Sequence, residues 1–131
     1  MTRSISRFLL AAGLVLVAST ASATDDSFGS PVRFLQRDGE ALYQGICQGC
    51  HMPGGKGAVG AGAYPALAKD EKLETAAYAV FMVVRGNKAM PGFARQFDDA
   101  QVAAVVNYVR TNFGNGYTDA VGLDDVKIAR P

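Results

Sequence analysis

The chain has 131 residues, 49% of them hydrophobic, with 13 basic and 12 acidic side chains. This balance suits one folded domain and excludes a disordered chain, and a net charge of +1 leaves no basic footprint for a nucleic acid.

Arg3 and Arg7 precede an apolar run from Phe8 to Ala18, and Ala21-Ser22-Ala23 then places small residues where a signal peptidase cuts. The pattern predicts a cleaved export signal over residues 1–23, a domain over 24–131, and delivery to the periplasm. The apolar run is shorter than the roughly 20 residues a helix needs to cross a bilayer, so no stable membrane span is expected. Thr24 to Pro31 is polar and without apolar periodicity and reads as a lead-in.

A helix is expected from Val32, with Phe34, Leu35, Leu42, Tyr43 and Ile46 as its apolar face and Asp38 and Glu40 exposed. Gly39 is a poor helix residue, tolerated where another backbone comes close, and it shares a face with Tyr43.

Next comes Cys47-Gln48-Gly49-Cys50-His51, which holds both cysteines and the single histidine of the chain. Two thiols three positions apart can each form a thioether to one vinyl group of a haem, and the histidine that follows lies under the iron as an axial ligand. Covalent haem c attached through Cys47 and Cys50 is therefore the expected cofactor. A domain of this size has a modest core, so the haem would supply much of the apolar surface that the helices pack against. A thiol oxidoreductase also uses C-x-x-C, but there the motif opens a helix after a strand, whereas here it closes one. A zinc site would be cramped and short of ligands.

Met52 to Ala63 contains five glycines and neither helical nor strand periodicity, so it reads as a loop. It lacks the Lys-Ser or Lys-Thr of a phosphate-binding loop, and a chain passing close to a flat cofactor is the favoured reading. Pro65 follows. Its carbonyl is the candidate acceptor for the Nδ1 proton of His51, which would fix the tautomer and orientation of the ring; the alternative is a rigid turn.

A second helix is expected over Asp70–Arg85, with Asp70, Glu71 and Glu74 in its first turn, Leu73, Ala76, Ala77, Val80, Phe81 and Val84 as its stripe, and Gly86-Asn87 as its stop. Met82 reads as core filling. Met90 lies in the loop from Gly86 to Phe93, where Pro91 stiffens the backbone. Given the haem motif, its sulfur is the candidate second axial ligand; a surface methionine or a docking residue are the alternatives. Met52 is bonded to His51 and stays on the histidine side, and the ammonium groups of Lys56 and Lys88 are poorer donors.

A third helix begins at Asp98, where Phe97 ahead and Gln101 behind resemble a stapled capping box. Val102, Val105, Val106, Val109 and Phe113 form its stripe, Arg110 sits in its last turn, and Gly114 ends it. Tyr108 should meet the face of the first helix that carries Gly39 and Tyr43. Asp124 to Ala129 is expected to add a helical turn or two. With no strand pattern and no internal repeat in residues 24–131, the expected fold class is all-α around one haem.

The sequence resembles the class I cytochromes c over nearly all of residues 24–131. Four matches carry the likeness: Cys47-Gln48-Gly49-Cys50-His51, Gly39 with Tyr43, Pro65 with Leu67, and Met90-Pro91-Gly92-Phe93. The resemblance implies three main helices around the haem and a first helix crossing the last. It also implies His51 and Met90 on iron, and Pro65 and Leu67 as cofactor-binding residues. The stretch Asn107 to Asn115 with Asp124-Asp125-Val126 is similar to cytochrome subunits of periplasmic dehydrogenases. Taken together this implies a non-enzymatic carrier of single electrons, accepting them from a dehydrogenase and passing them to an oxidase or another cytochrome. Docking is expected through an apolar rim of Met52, Ala58, Val59, Ala63, Met90 and Phe93, with Lys56, Arg85, Lys88 and Arg95 as a positive border or as scattered solvated charge. The alternative function is a ligand-binding or peroxidase-like haem protein with a labile sixth ligand, disfavoured because no second histidine or distal acid is present.

Overall fold

The computed structural model describes residues 33–131 apart from residue 61; the expected export signal and lead-in lie outside the described residues. Among the described residues the first helical stretch starts at Gly39, so the helix expected from Val32 does not run through residues 33–37. Asp38 is extended (φ −85°, ψ 139°) and its carboxylate accepts from the Ala41 N–H at 3.0 Å, so it is the N-cap. Residues 33–37 ahead of it are non-helical, and Leu35 from the expected apolar face is 87% exposed.

From that cap, α1 (Gly39–Leu42) runs directly into a π-helical turn (Tyr43–Cys47) and then α2 (Gln48–His51). In the π turn the Gln48 N–H donates to the Tyr43 carbonyl, five residues back. Such widened turns are rare and favour functional sites, and this one ends on the first cysteine.

The glycine-rich segment holds a short 3-10 turn (Pro53–Gly55) and an antiparallel pair, β1 (Ala58–Val59) with β2 (Ala63–Tyr64), in the register Ala58 to Tyr64 and Val59 to Ala63. The fold is therefore helix-rich with a small hairpin, not purely helical as expected. Strands of two residues are too short to write an alternating pattern into the sequence.

The helix expected over Asp70–Arg85 is two pieces: a 3-10 turn (Glu71–Glu74) capped by Asp70, then α3 (Ala76–Arg85) after an extended Thr75 (ψ 100°). Asp and Thr both favour capping conformations over helix interiors, and each takes one here. Val80 and Val84 are buried as the stripe predicts and Ala79 joins them, while Ala77 and Phe81 stay exposed.

Next, α4 (Asp99–Thr111) carries the capping box in full: the Gln101 N–H donates to the Asp98 carboxylate at 2.9 Å and the Asp98 N–H donates to Gln101 Oε1 at 3.0 Å. Val102, Val105, Val106 and Val109 are buried. Phe113 lies beyond the helix, at φ 59°, not on its stripe as expected, and its ring packs on Tyr43 at 4.7 Å and Tyr108 at 5.5 Å.

The expected crossing of first and last main helices is present. A Cβ on Gly39 would stand 2.3 Å from the Ala104 carbonyl oxygen and 2.8 Å from Tyr108 Cβ, so only glycine lets α1 lie on α4. Tyr43 and Tyr108 close the contact at 5.9 Å between ring centroids.

Finally α5 (Leu123–Ala129) packs against α3 and α4 with Val126 fully buried. Arg110 does more than face a helix end. Its fully buried guanidinium donates to the carbonyls of Leu73, Glu74 and Asp119 and to the Asp119 carboxylate, tying the 3-10 turn and the tail to α4. The hydrogen bond from Arg110 holds the Asp119 carboxyl below its ordinary range. Among the described residues no helix is long and apolar enough to cross a membrane.

Candidate functional site

Cys47, Cys50 and His51 sit on consecutive turns at the end of the first helical stretch, so a single rigid element presents all three. His51 is buried at 8% exposure, Cys47 is half-buried and Cys50 is exposed; both thiols are unpaired. Burial pushes the Cys47 thiol up to about 11, with the neighbouring Cys50 adding to the rise. A redox-active C-x-x-C needs the opposite, a thiol that ionises easily. That weighs against the thiol-oxidoreductase reading, as does the helix running through the motif.

The ring of His51 is held from one side. Its Nδ1 lies 2.9 Å from the Pro65 carbonyl oxygen. A carbonyl only accepts, so Nδ1 carries the proton and Nε2 keeps a lone pair free for a metal. The loop is shaped to bring that carbonyl in. The Gly57 N–H donates to the His51 carbonyl at 2.9 Å, and a Cβ on Gly57 (φ 64°) would stand 2.4 Å from the Tyr64 oxygen and 2.8 Å from the Pro65 carbonyl carbon. The Gly55 carbonyl accepts from the Leu67 and Ala68 N–H groups at 2.7 and 2.9 Å, while Tyr43 OH donates to the Met52 carbonyl at 2.7 Å. Leu67 is half-buried against the core, and its carbonyl accepts from Asn115 Nδ2 at 2.8 Å.

Met90 is fixed by its backbone. Its N–H donates to the Asn87 carbonyl at 2.9 Å and its carbonyl accepts from the Asn87 N–H at 3.0 Å, which makes a tight turn that leaves the residue half-buried. The chain then folds back on α3, where the Phe93 and Ala94 N–H groups donate to the carbonyls of Val83 and Val84 at 2.8 and 3.2 Å. These carbonyls belong to the last turn of the helix and would otherwise lack partners. Met82 is half-buried within α3 and is not among the side chains that pack on the core, unlike the expected core filling.

Several site-supporting residues carried no sequence signal of that role. Asn115 is buried; it donates to Leu67 and Val109 and accepts from the Asp70 N–H, joining the histidine loop to the tail. Gln101, read only as a capping residue, also donates to the carbonyls of Phe34 and Gln36 at 2.7 Å. Lys56, Arg85, Lys88 and Arg95 are all exposed, and Arg85 in addition donates to the carbonyls of Ala129 and Arg130.

This donor set fits a haem. It offers two unpaired thiols and a histidine with one nitrogen already occupied, and large apolar side chains are left in the open, Phe81 at 50%, Val59 at 94% and Tyr64 at 41% exposure. A surface cavity of about 630 Å³ opens beside the same loop, between Lys56 and Ala66. Among the described residues no group of three or more His, Cys, Asp or Glu side chains could hold a metal ion alone, which disfavours the zinc reading.

The family described as "Cytochrome C oxidase, cbb3-type, subunit III" matches residues 35–109, the span from ahead of α1 to within α4. The chain is also similar to the cytochrome c6 of Synechococcus elongatus, 30% identical over 84 residues that make up 61% of this chain and 93% of that protein. A second relative is the fructose dehydrogenase cytochrome subunit of Gluconobacter japonicus, 31% identical over 108 residues. That match takes in 71% of this chain but only 22% of the length of the subunit.

Proposed function

The chain belongs to the class I-like c-type cytochromes, and from that premise we propose that it is a periplasmic carrier of single electrons, loaded by a dehydrogenase and discharged to an oxidase or another cytochrome. Family membership implies haem c, whose iron supplies one-electron oxidation and reduction when bound. Cys47 and Cys50 would hold the group by thioethers from one helix end. His51 would ligate through Nε2, and Pro65 keeps the ring in the tautomer that makes this possible. Met90 would supply a second ligand from its turn, and Leu67 packs at the edge of the histidine loop. Held by both His51 and Met90, the group would pass single electrons without a substrate bound at its metal.

The observation that carries this reading is the 2.9 Å hydrogen bond from His51 Nδ1 to Pro65, because it leaves the nitrogen beside a C-x-x-C motif free to bind a metal. A dehydrogenase as donor is supported by the likeness to the Gluconobacter dehydrogenase cytochrome subunit, and the likeness to nearly the whole of a cytochrome c6 supports a diffusible form. Exposed Val59, with the exposed cations Lys56, Lys88 and Arg95, suits a brief encounter with a redox partner, whereas Phe93, expected in the same rim, is half-buried on the core and stacks on Phe97. The test is the protein matured in a host that attaches haem. The denatured polypeptide should keep the mass and absorption of one haem, and Met90→Ala should remove the weak red band of a sulfur–iron bond. A bare polypeptide mass overturns the cofactor assignment, and a band that survives Met90→Ala overturns the ligand assignment.

A further inference from the structure

The loop that carries Met90 leaves α3 after Arg85 and rejoins packed structure at Ala94, and the dipeptide Ala129-Arg130 at the close of α5 binds both of its feet. On the outgoing side, Arg85 Nε donates to the Ala129 carbonyl and Nη2 to the Arg130 carbonyl, each at 2.9 Å. On the returning side, the Arg130 guanidinium donates to the Ala94 carbonyl, to the Phe97 carbonyl at 2.9 Å, and to the Asp99 carboxylate at 2.7 Å. Two arginines pointing in opposite directions therefore span the ends of the loop through one short segment.

Between these feet the chain is held by backbone hydrogen bonds alone, among them the Phe93 N–H to the Val83 carbonyl at 2.8 Å. Asn87, Lys88, Ala89, Pro91 and Gly92 are exposed, and the turn is closed by the two backbone bonds between Asn87 and Met90. A segment with exposed hydrogen bonds and little buried apolar surface opens by local unfolding well below the global stability of a fold. What resists the opening is the set of bonds at its base, and bonds from charged donors are the strongest of these.

We propose that Arg130, acting with Arg85, is a latch that positions the Met90 loop and so sets how often the sixth coordination site opens to an outside ligand. The inference rests on the reading of Met90 as that ligand. Arg130 does not hydrogen-bond Met90; its guanidinium acts through Ala94, Phe97 and Asp99. Without this latch the loop would open more often, and the metal that Met90 would cover would become accessible to a small molecule.

The experiment measures the rate of cyanide binding to the ferric holoprotein, well below its unfolding temperature, in the wild type and in Arg130→Ala, Arg130→Lys and Met90→Ala. Arg130→Ala should bind cyanide about tenfold faster, the effect of losing one to two charge-assisted hydrogen bonds at the base of the loop. Arg130→Lys should recover part of the difference, because an ammonium group can reach one acceptor but cannot span three. If Arg130→Ala fails to fold, Arg85→Met, which removes the other half of the latch and keeps its stem, should give the same acceleration. A wild-type rate in the folded variant overturns the latch. A Met90→Ala rate equal to the slow wild-type rate overturns the ligand reading beneath it, so the two failures are told apart.

Discussion

Gly57 and Gly86 both hold a positive φ where a side chain would strike another stretch of backbone, but they press against different things. Gly57 lies under the Tyr64–Pro65 peptide, which is drawn in so that the Pro65 carbonyl meets the His51 ring. Gly86 (φ 72°) lies under Met90 and Gly92, with a Cβ 2.4 Å from the Met90 oxygen and 2.5 Å from the Gly92 nitrogen. On the histidine side the backbone aims a side chain. On the methionine side the backbone is fixed and the side chain is left to follow, because a thioether has no N–H by which it could be held. A histidine is positioned by a hydrogen bond and burial; a methionine is positioned only as well as its loop is closed.

The comparison breaks if the scaffold under both sides is disturbed. Gly39→Ala forces a Cβ to 2.3 Å from the Ala104 carbonyl, a backbone atom that cannot swing aside, so α1 must lift off α4. The expected loss is about 3 kcal/mol in urea unfolding, with both sides weakened together. A loss under about 0.5 kcal/mol would mean the crossing is looser than its geometry implies.

The pair Gly57→Ala and Gly86→Ala sharpens it. Each should cost about 2 kcal/mol from positive φ and the close backbone contact. The signatures should differ: Gly57→Ala should lose the sharp, slowly exchanging Nδ1–H proton resonance of His51, while Gly86→Ala should keep that resonance and weaken the red sulfur–iron band. The same signature from both variants would show that the two loops are one unit.

Much of the histidine side could be read from the sequence because its chemistry is local. Cys47, Cys50 and His51 are adjacent, and Pro65 sits where one loop must return, so residue types alone suggest the hydrogen bond that is seen. The capping box at Asp98 and Gln101 and the contact of Gly39 with Tyr108 follow likewise from spacing and from the steric needs of glycine. What escaped was long-range and polar. Arg110 reads as a cation near a helix end, yet it is a buried tie between three segments, because the carbonyls it satisfies come from residues 73, 74 and 119. Arg85 reads as a border charge for the same reason, yet it also donates to the carbonyls of residues 129 and 130. Helix α1 starts later than the sequence suggests because Phe34 and Leu35 imitate a helical face, while the cap at Asp38 overrides them.

The smallest effect probes the return of the methionine loop into α4. The Asp98 carboxyl lies below its ordinary range, first because the Gln101 N–H donates to it and then through Arg37 beside it. Folding therefore lowers its proton affinity, and its contribution to stability is complete above the ordinary value of 3.8 and is lost as pH falls through the lower folded value. Asp98→Ala should cost about 1 kcal/mol near neutral pH, the usual worth of an N-cap. The gap between wild type and variant should then close as pH falls well below the ordinary value, since a protonated carboxyl caps poorly. Because Asp98 follows Phe97, whose carbonyl receives Arg130, the variant should speed cyanide entry slightly and leave the His51 proton resonance unmoved. A gap that stays constant through acid pH would place the worth of Asp98 in packing and not in its charge, and the electrostatic hold at this foot would then rest on Arg130 and Asp99.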